Sequence, residues 1–495
     1  MDSEIIIIGS GNAALSAGMA ALEKGCSVLI IEKADEKEWG GNSRYTAGAM
    51  RFAYNSFDDL VPLLKNRGDE RLAISDFGSY PKEKFLADLK HFNEQEPITE
   101  LQQFLVDESL SALQWLGSHN IKFDPIYSRQ TFKKDGKFIF WGGLSLESEG
   151  EGDGLVQAEL NEFFRLGGKI KYSCAAEDLV IEDEKVIGIK CIDSNIETIL
   201  ECRAVVMACG GFEANKEMRI KYLGENFRNA KVRGTRHNMG KGIEMVIKAG
   251  AALNGFFAGC HAVPMDKNMP EYGNLNIAHI ERKHYRKISY LFGIMLNANG
   301  ERFVDEGLDF RNYTYAQFGK AILEQPDGLA WQIFDSKVMH LLYSEYKTED
   351  ASFIEANTLE ELVTKLSGVN PAKALQTILQ YNQAVNTNIV FDPAIKDGRC
   401  TTGLSLQKSN WANVLDTPPY RAYPVTGGIT FTYGGVKVNT RAEVLKENNE
   451  KIAGLFACGE MVGGIFFYGY PGGSGLTSGT VFGKHAGYSA ADFCK

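Results

Sequence analysis

The sequence predicts an α/β fold in which both ends of the chain build one parallel sheet and an α+β unit is inserted between them. Three observations predict it. Ile5 to Lys33 reads as strand, glycine turn, helix and strand. Lys169 to Ala208 reads as a β-rich meander that feeds back into a parallel sheet and ends in Cys209-Gly210-Gly211. Leu455 to Glu460 returns to the opening pattern, an apolar strand running into a glycine and an acid.

The elements follow in order. Ile5 to Ile8 are four consecutive isoleucines, a short strand buried on both faces. Gly9, Gly11 and Ala14 then give G-x-G-x-x-A. Gly9 permits the tight turn, Gly11 lets a pyrophosphate approach the backbone, and Ala14 lets the helix pack closely on the strands. Asn12 and Ala13 open that helix, whose unpaired N–H groups face the phosphates. Ser27 to Ile31 is the second strand, and Glu32, with Lys33 beside it, stands where a carboxylate accepts hydrogen bonds from a ribose. Strand before, helix after and acid about 20 residues on make this a dinucleotide site rather than a bare turn.

The next stretch, Trp39 to Gly48, is rich in small residues and suits a loop wrapped around a cofactor. Its candidate contacts are Gly40, Gly41, Asn42, Ser43, Thr46, Ala47 and Gly48. Lys82 to Phe92 and Glu100 to Leu116 read as helices without evident chemistry, and His91 and His119 as surface or packing residues. Asp153 to Leu166 is a further helix. Lys169 to Ser173, Asp178 to Ile181, Val186 to Ile192 and Glu197 to Cys202 are strands, with a turn at Glu182 to Lys185. Ala204 to Ala208 is the strand before the glycine pair; Ala176, Ala208 and Gly210 join the candidate contacts. Gly240 to Gly250 marks a helix start and stop. The character changes near Gly259, so residues 259–425 are expected as the inserted capping domain, and 1–258 with 426–495 as the discontinuous nucleotide-binding domain. Gly459 and Glu460 close the last strand, and Tyr470 to Leu476, including Ser474, Gly475 and Leu476, opens a final helix to Ala491.

A chain of 495 residues is too long for one compact core, so two or more domains are expected. The net charge of −10 argues against nucleic acid as the main partner. Nine cysteines without a C-x-x-C pair argue against an iron–sulfur cluster, a zinc knuckle or a redox disulfide, and fit a reducing compartment. The first residues are acidic where a signal peptide is basic, and Gly-Ser-Gly-Asn breaks the apolar run from Ile5, so neither a leader nor a transmembrane segment is expected. The expected location is cytoplasmic. One dinucleotide turn, a β-meander and a returning Gly-Glu strand together point to FAD rather than NAD.

Four segments, Gly9–Ala14, Gly41–Gly48, Ala208–Phe212 and Gly459–Gly464, carry a resemblance to the flavoprotein family of fumarate reductase and succinate dehydrogenase. Within it, Gly40–Arg51, Glu301–Ala316 and Tyr468–Gly487 most resemble tricarballylate dehydrogenases, and the Tyr-Pro-Gly run is similar to that of 3-ketosteroid Δ1-dehydrogenases. The resemblance implies a glutathione-reductase-type, Rossmann-like FAD-binding domain, with substrate held against the flavin under the capping domain. It implies hydride transfer between flavin N5 and a substrate carbon, with a proton moving on the neighbouring carbon. Covalent attachment in part of the family uses a histidine after the loop serine. Here Ser43-Arg44-Tyr45 stands there, so non-covalent FAD is expected.

The resemblance places Arg311 at the spacing of the family's proton-shuttling arginine. A guanidinium also holds a developing enolate-like oxygen, although arginine rarely deprotonates. His261 lies near the family's substrate-binding histidine, or is structural. Phe431 and Tyr470 stand where fumarate reductases have a histidine and an arginine, so the pocket is expected to be more aromatic; Tyr470 either hydrogen-bonds a carbonyl or packs. Tyr313, Tyr315, Tyr433 and Tyr468 rank lower. The family's Glu/Arg relay is not recognisable around Arg286 and Ser289. Arg44 and Arg51 are candidates for a carboxylate, the FAD phosphates or a surface acid. The basic run from Arg282 to Lys287 reads as an exposed face, with anion guidance as the minority reading. The expected function is an FAD-dependent CH–CH/C=C oxidoreductase of the tricarballylate type, acting on a small carboxylate or ketone. The alternatives are a ketosteroid-type Δ1-dehydrogenase and a non-catalytic flavin-binding subunit. Without a cluster, haem or nicotinamide motif, electrons pass to or from an external acceptor or donor, in the resembled system a separate electron-transfer protein.

Overall fold

The computed structural model describes residues 1–94, 96–277, 285–349 and 351–495. Five parallel strands form the centre of the main sheet, in the order Lys451–Ala457, Ala204–Met207, Ile5–Ile8, Val28–Ile31 and Lys169–Lys171. Ile5 pairs with Ala204 on one side and Val28 on the other, and all four isoleucines are buried. The first strand is therefore flanked on both sides, as its unbroken apolar run requires.

Cys174–Glu182, Lys185–Asp193 and Ile196–Glu201 extend this sheet as an antiparallel meander. Asp183 and Glu184 take φ of 46° and 60° at its first turn, the left-handed pair a two-residue hairpin demands. Helix Asn12–Glu23 packs against the C-terminal helix Ser474–Cys494, binding the two ends of the chain together. The expected helices appear as Lys82–Phe92, Glu100–Ser118, Glu151–Arg165 and Lys241–Lys248.

A second sheet is organised around one long strand, Tyr420–Thr432. Its first half pairs with Ala330–Phe334 and Ile354–Ala356, and its second half with Cys260–Asp266 and Lys231–Val232. The residue-425 boundary expected from composition falls inside this strand, and residues 231–232, expected in the first domain, join the same sheet. Ladder hydrogen bonds extend through the change in composition. The stretch from 288 to 425 has apolar clusters of its own, one around Ile294, Trp331, Leu362 and Ile378 and another around Tyr290, Phe334 and Trp411.

One buried acid in the first domain bears on stability. Glu159 sits under helix Asn12–Glu23, where Ser16 Oγ donates to its Oε1 at 3.0 Å and Oε2 has no partner. Burial pushes its pKa well above the usual 4.5, so the folded protein holds the carboxyl neutral. A carboxyl raised on folding contributes stability below the unfolded pKa that is lost as pH rises toward the folded one. Glu159→Gln keeps the acceptor for Ser16 and removes this titration. Thermal melts should show the variant gaining on wild type between pH 5 and pH 8. A constant difference across that range would contradict this account.

Candidate active site

The nucleotide half of the site lies at the carboxyl ends of the central strands, where open α/β sheets bind ligands. Gly9 has φ of +103°, and a Cβ there would lie 2.5 Å from Ala208 O. Helix Asn12–Glu23 starts without a side-chain cap, and so does Ser474–Cys494. Asn12 couples them: its Nδ2 donates to Leu476 O at 2.8 Å and its Oδ1 accepts from Thr480 Oγ1 at 3.0 Å. The two helix ends thus converge on one cavity, with Asn12 N donating to Ser43 Oγ and Ser474 N to Pro471 O, each at 3.1 Å.

Glu32 ends the second strand. Its Oε2 accepts from Ser10 Oγ at 2.5 Å and its Oε1 from Ala34 N at 2.7 Å. Burial raises its pKa despite these bonds. A cavity of about 340 Å³ runs from Glu32 and Lys33 past Gly9, Gly11 and Ala176 to Asn42, Ser43 and Glu460, with Ala208 and Gly210 along its wall. Among the candidate contacts, Ala14, Gly40, Gly48 and Ser474 do not line it. They pack behind the wall, where Gly40 N donates to Ser10 Oγ at 2.8 Å and Ser474 Oγ donates to Pro471 O at 2.6 Å.

Asn12, Ala13, Asn42, Ser43 and Glu460 also line a second cavity of about 210 Å³, so the two adjoin. Gly41 borders only the first; Thr46, Ala47, Gly459, Gly475 and Leu476 border only the second. An acid pair sits at the junction. Glu460 Oε1 accepts from Thr432 N at 2.7 Å, and Glu213 Oε1 accepts from Asn42 and Asn238 Nδ2, both at 2.5 Å. Burial raises both pKa values, and the charge of the neighbouring Glu460 raises that of Glu213 further. Sequence reasoning passed over Glu213, whose signal was an acid two residues beyond Gly211.

The second cavity is aromatic and cationic. Arg311 begins helix Arg311–Leu323. Its Nε donates to Tyr343 Oη and its Nη2 to Arg129 O at 2.8 Å. His261, at a bulge in strand Cys260–Asp266, is 1% exposed and neither ring nitrogen has a partner. Burial, then the charge of Arg233, holds its pKa well below the usual range, so the ring is neutral. Tyr470, Tyr315 and Phe431 surround it at centroid distances of 4.8, 5.0 and 5.3 Å. Tyr470 and Tyr315 share a 2.7 Å hydroxyl bond. Tyr433 Oη is buried in the same wall without a partner.

Other candidates lie elsewhere. Tyr313 donates to Asp88 at 3.2 Å, and Tyr468 is 42% exposed beside Phe256. Arg44 is fixed on Asp153 at 2.6 Å. Arg51 is fully buried, with Nε on Gly472 O and Nη1 on Gly142 O, each at 2.7 Å. Both brace the loop and line neither cavity. His279, Arg282, Lys283 and His284 lie outside the described residues. Arg129 and Arg233 were not singled out as site residues, and Arg286, expected on an exposed basic face, instead lines the cavity with its side chain 11% exposed. Arg286 pairs with Glu345 at 2.7 Å, two residues after Arg311's partner Tyr343. No local motif reveals that acid, because it comes from a distant segment.

A family model described as "FAD binding domain" matches residues 4–476. The chain belongs to this family. The flavoprotein is 27% identical to NADH:acrylate oxidoreductase of Vibrio harveyi, over 99% of this chain and 50% of that protein. It is 26% identical to the probable fumarate reductase Ifc3 of Shewanella frigidimarina (strain NCIMB 400), over 99% and 75%. The chain thus spans about half the length of the first relative. Among solved structures, an open flavocytochrome c3 fumarate reductase superposes with a TM-score of 0.71 at 25% identity, covering 99% of this chain and 78% of that one. A 3-ketosteroid Δ1-dehydrogenase from Sterolibacterium denitrificans shares the fold, with a TM-score of 0.75 at 20% identity and 99% coverage of both chains. FAD is the cofactor of this flavoprotein, and the residues present fit it: the two helix ends, the Gly9 turn and Glu32 lie along two adjoining cavities. Among the described residues, no helix is long and apolar enough to cross a membrane.

Proposed function

We propose that this flavoprotein interconverts CH–CH and C=C bonds beside a carboxylate, with a tricarballylate-like polycarboxylate as substrate. One observation carries the reading. Arg311, braced by two acceptors, opens into a buried cavity shared with Glu460 at the cofactor junction, where His261 and Tyr433 present polar atoms without partners. Buried polar groups without partners are uncommon, and a ligand that satisfies them explains them. When bound, FAD supplies the hydride chemistry. Arg311 then holds the substrate oxygen and delivers or removes the proton at the neighbouring carbon, with Tyr343 and the Arg129 carbonyl fixing its plane. Neutral His261 donates one ring N–H to a substrate oxygen.

In this proposal residues 259–425 supply most of the cap, the flavin is non-covalent, and an external electron carrier completes turnover in the cytoplasm. The Tyr315–Tyr470 hydroxyl pair in an aromatic wall favours the second reading, a ketosteroid-type dehydrogenase, because a phenol pair polarises a ketone. A polycarboxylate panel and a steroid panel, scored by flavin bleaching under argon, separate the two. Tricarballylate should bleach the flavin, and acid precipitation should release the yellow colour into solution. Bleaching by steroids alone would sink the first reading.

A further inference from the structure

We propose that Arg233 binds a substrate carboxylate remote from the reacting bond and so selects di- and tricarboxylates over monocarboxylates. This rests on the function proposed above and adds the residue that determines substrate class. Arg233 follows the two-residue strand Lys231–Val232, and its N donates to Ile429 O at 2.7 Å, which anchors its backbone on the cavity wall. The guanidinium borders the cavity with Arg129, Arg286 and Arg311.

Its neighbours have counter-ions or strong acceptors. Arg129 pairs with Glu147, Arg286 with Glu345, and Arg311 donates to Tyr343 and Arg129 O. Among the described residues Arg233 has only long bonds of 3.4 Å, to Thr430 Oγ1 and Tyr45 O, and no carboxylate pairs with it. Burial, then the charge of Arg286, lowers its pKa to about 10. A desolvated cation without a counter-ion is costly, and an incoming carboxylate relieves that cost with charge-assisted hydrogen bonds.

A second observation points the same way. Arg286 Nε is also buried in this cavity without a partner among the described residues. Phe431 and Tyr470 occupy the positions where the resemblance leads one to expect cationic or imidazole clamps. Arg233 brings charge to the same wall from a different element; its field reaches both His261 and Tyr470. A substrate whose first carboxylate engages Arg311 leaves Arg233 bare unless it carries a second. A steroid provides neither.

The test uses the FAD-loaded full chain with tricarballylate, succinate and propionate, followed by flavin bleaching and dye-linked turnover. Arg233→Gln should keep its flavin and raise KM for the di- and tricarboxylates about 100-fold, as expected for loss of a hydrogen bond to a charged group. Its kcat should change less than about fivefold and its KM for propionate should be unmoved, since only the remote contact is lost. Arg233→Lys should recover part of the affinity, and it decides the matter if the Gln variant sheds flavin. Unchanged polycarboxylate KM in both variants, with wild type still oxidising these acids, would overturn the role of Arg233 alone. No response of wild type to any carboxylate would overturn the underlying function and this assignment with it.

Discussion

Arg311→Ala should lower kcat about 10³-fold or more, the range for losing a general acid together with a preorganised cationic donor, while the purified protein stays yellow. The side chain is 7% exposed and lines the second cavity but not the first. Its fork geometry matters as much as its charge. Nε is on Tyr343 and Nη2 on the Arg129 carbonyl, which leaves Nη1 outside the bracing bonds. Lysine cannot make both bracing bonds and still reach substrate, so Arg311→Lys should remain severely impaired. Tyr343→Phe removes one brace without removing the charge. It should cost about ten- to a hundredfold in kcat, the equivalent of one hydrogen bond to a charged group. Stopped-flow reduction of the flavin isolates the chemical step. Wild-type reduction rates in Arg311→Ala would remove this residue from the chemistry altogether.

The difference between what the sequence announces and what it hides is physical. Ile5 to Glu32 is legible because each function there uses neighbouring residues: an apolar run, a glycine turn and an acid at fixed spacing. Helix Lys82–Phe92 is legible because its apolar positions repeat at the helical period. Arg311 is legible through its flanking motif. The cationic wall is not, because Arg129, Arg233, Arg286 and Glu345 come from separate segments and meet only in the folded chain. Arg233 follows a strand of two residues, too short to show any period. The strand Tyr420–Thr432 is disguised by Gly427 and Gly428, which ordinarily weaken a strand. A Cβ on Gly427 would lie 2.4 Å from Gly319 O, so the glycine admits helix Arg311–Leu323 against the sheet and thereby positions Arg311. A residue that looks like a strand breaker is a packing device for the active site.

The same logic predicts the largest structural effect. Gly479, Gly483 and Gly487 recur every four residues along the C-terminal helix and face helix Asn12–Glu23. A Cβ would lie 2.6 Å from Asn12 Nδ2 at Gly479, 2.5 Å from Ala13 O at Gly483 and 2.1 Å from Ala17 O at Gly487. The last two contacts are with backbone, which cannot step aside by changing rotamer. Gly483→Val must therefore push the helices apart. That motion also breaks the Asn12 clasp to Leu476 and Thr480 and separates the two helix ends that converge on the second cavity. Overpacking of this kind costs about 3 kcal/mol or more. We expect colourless protein, a melting temperature lowered by several degrees and little recovery on adding FAD. Gly483→Ala should show the same defects in milder form, because its single methyl meets the same carbonyl. Lys484→Ala, one residue along and partly exposed, should melt within a degree or two of wild type. Flavin content after gel filtration and a melt with and without added FAD make the comparison. A yellow Gly483→Val protein with wild-type melting would show that the two helices are not packed at backbone contact, and the convergence of their ends on one cofactor would lose its support.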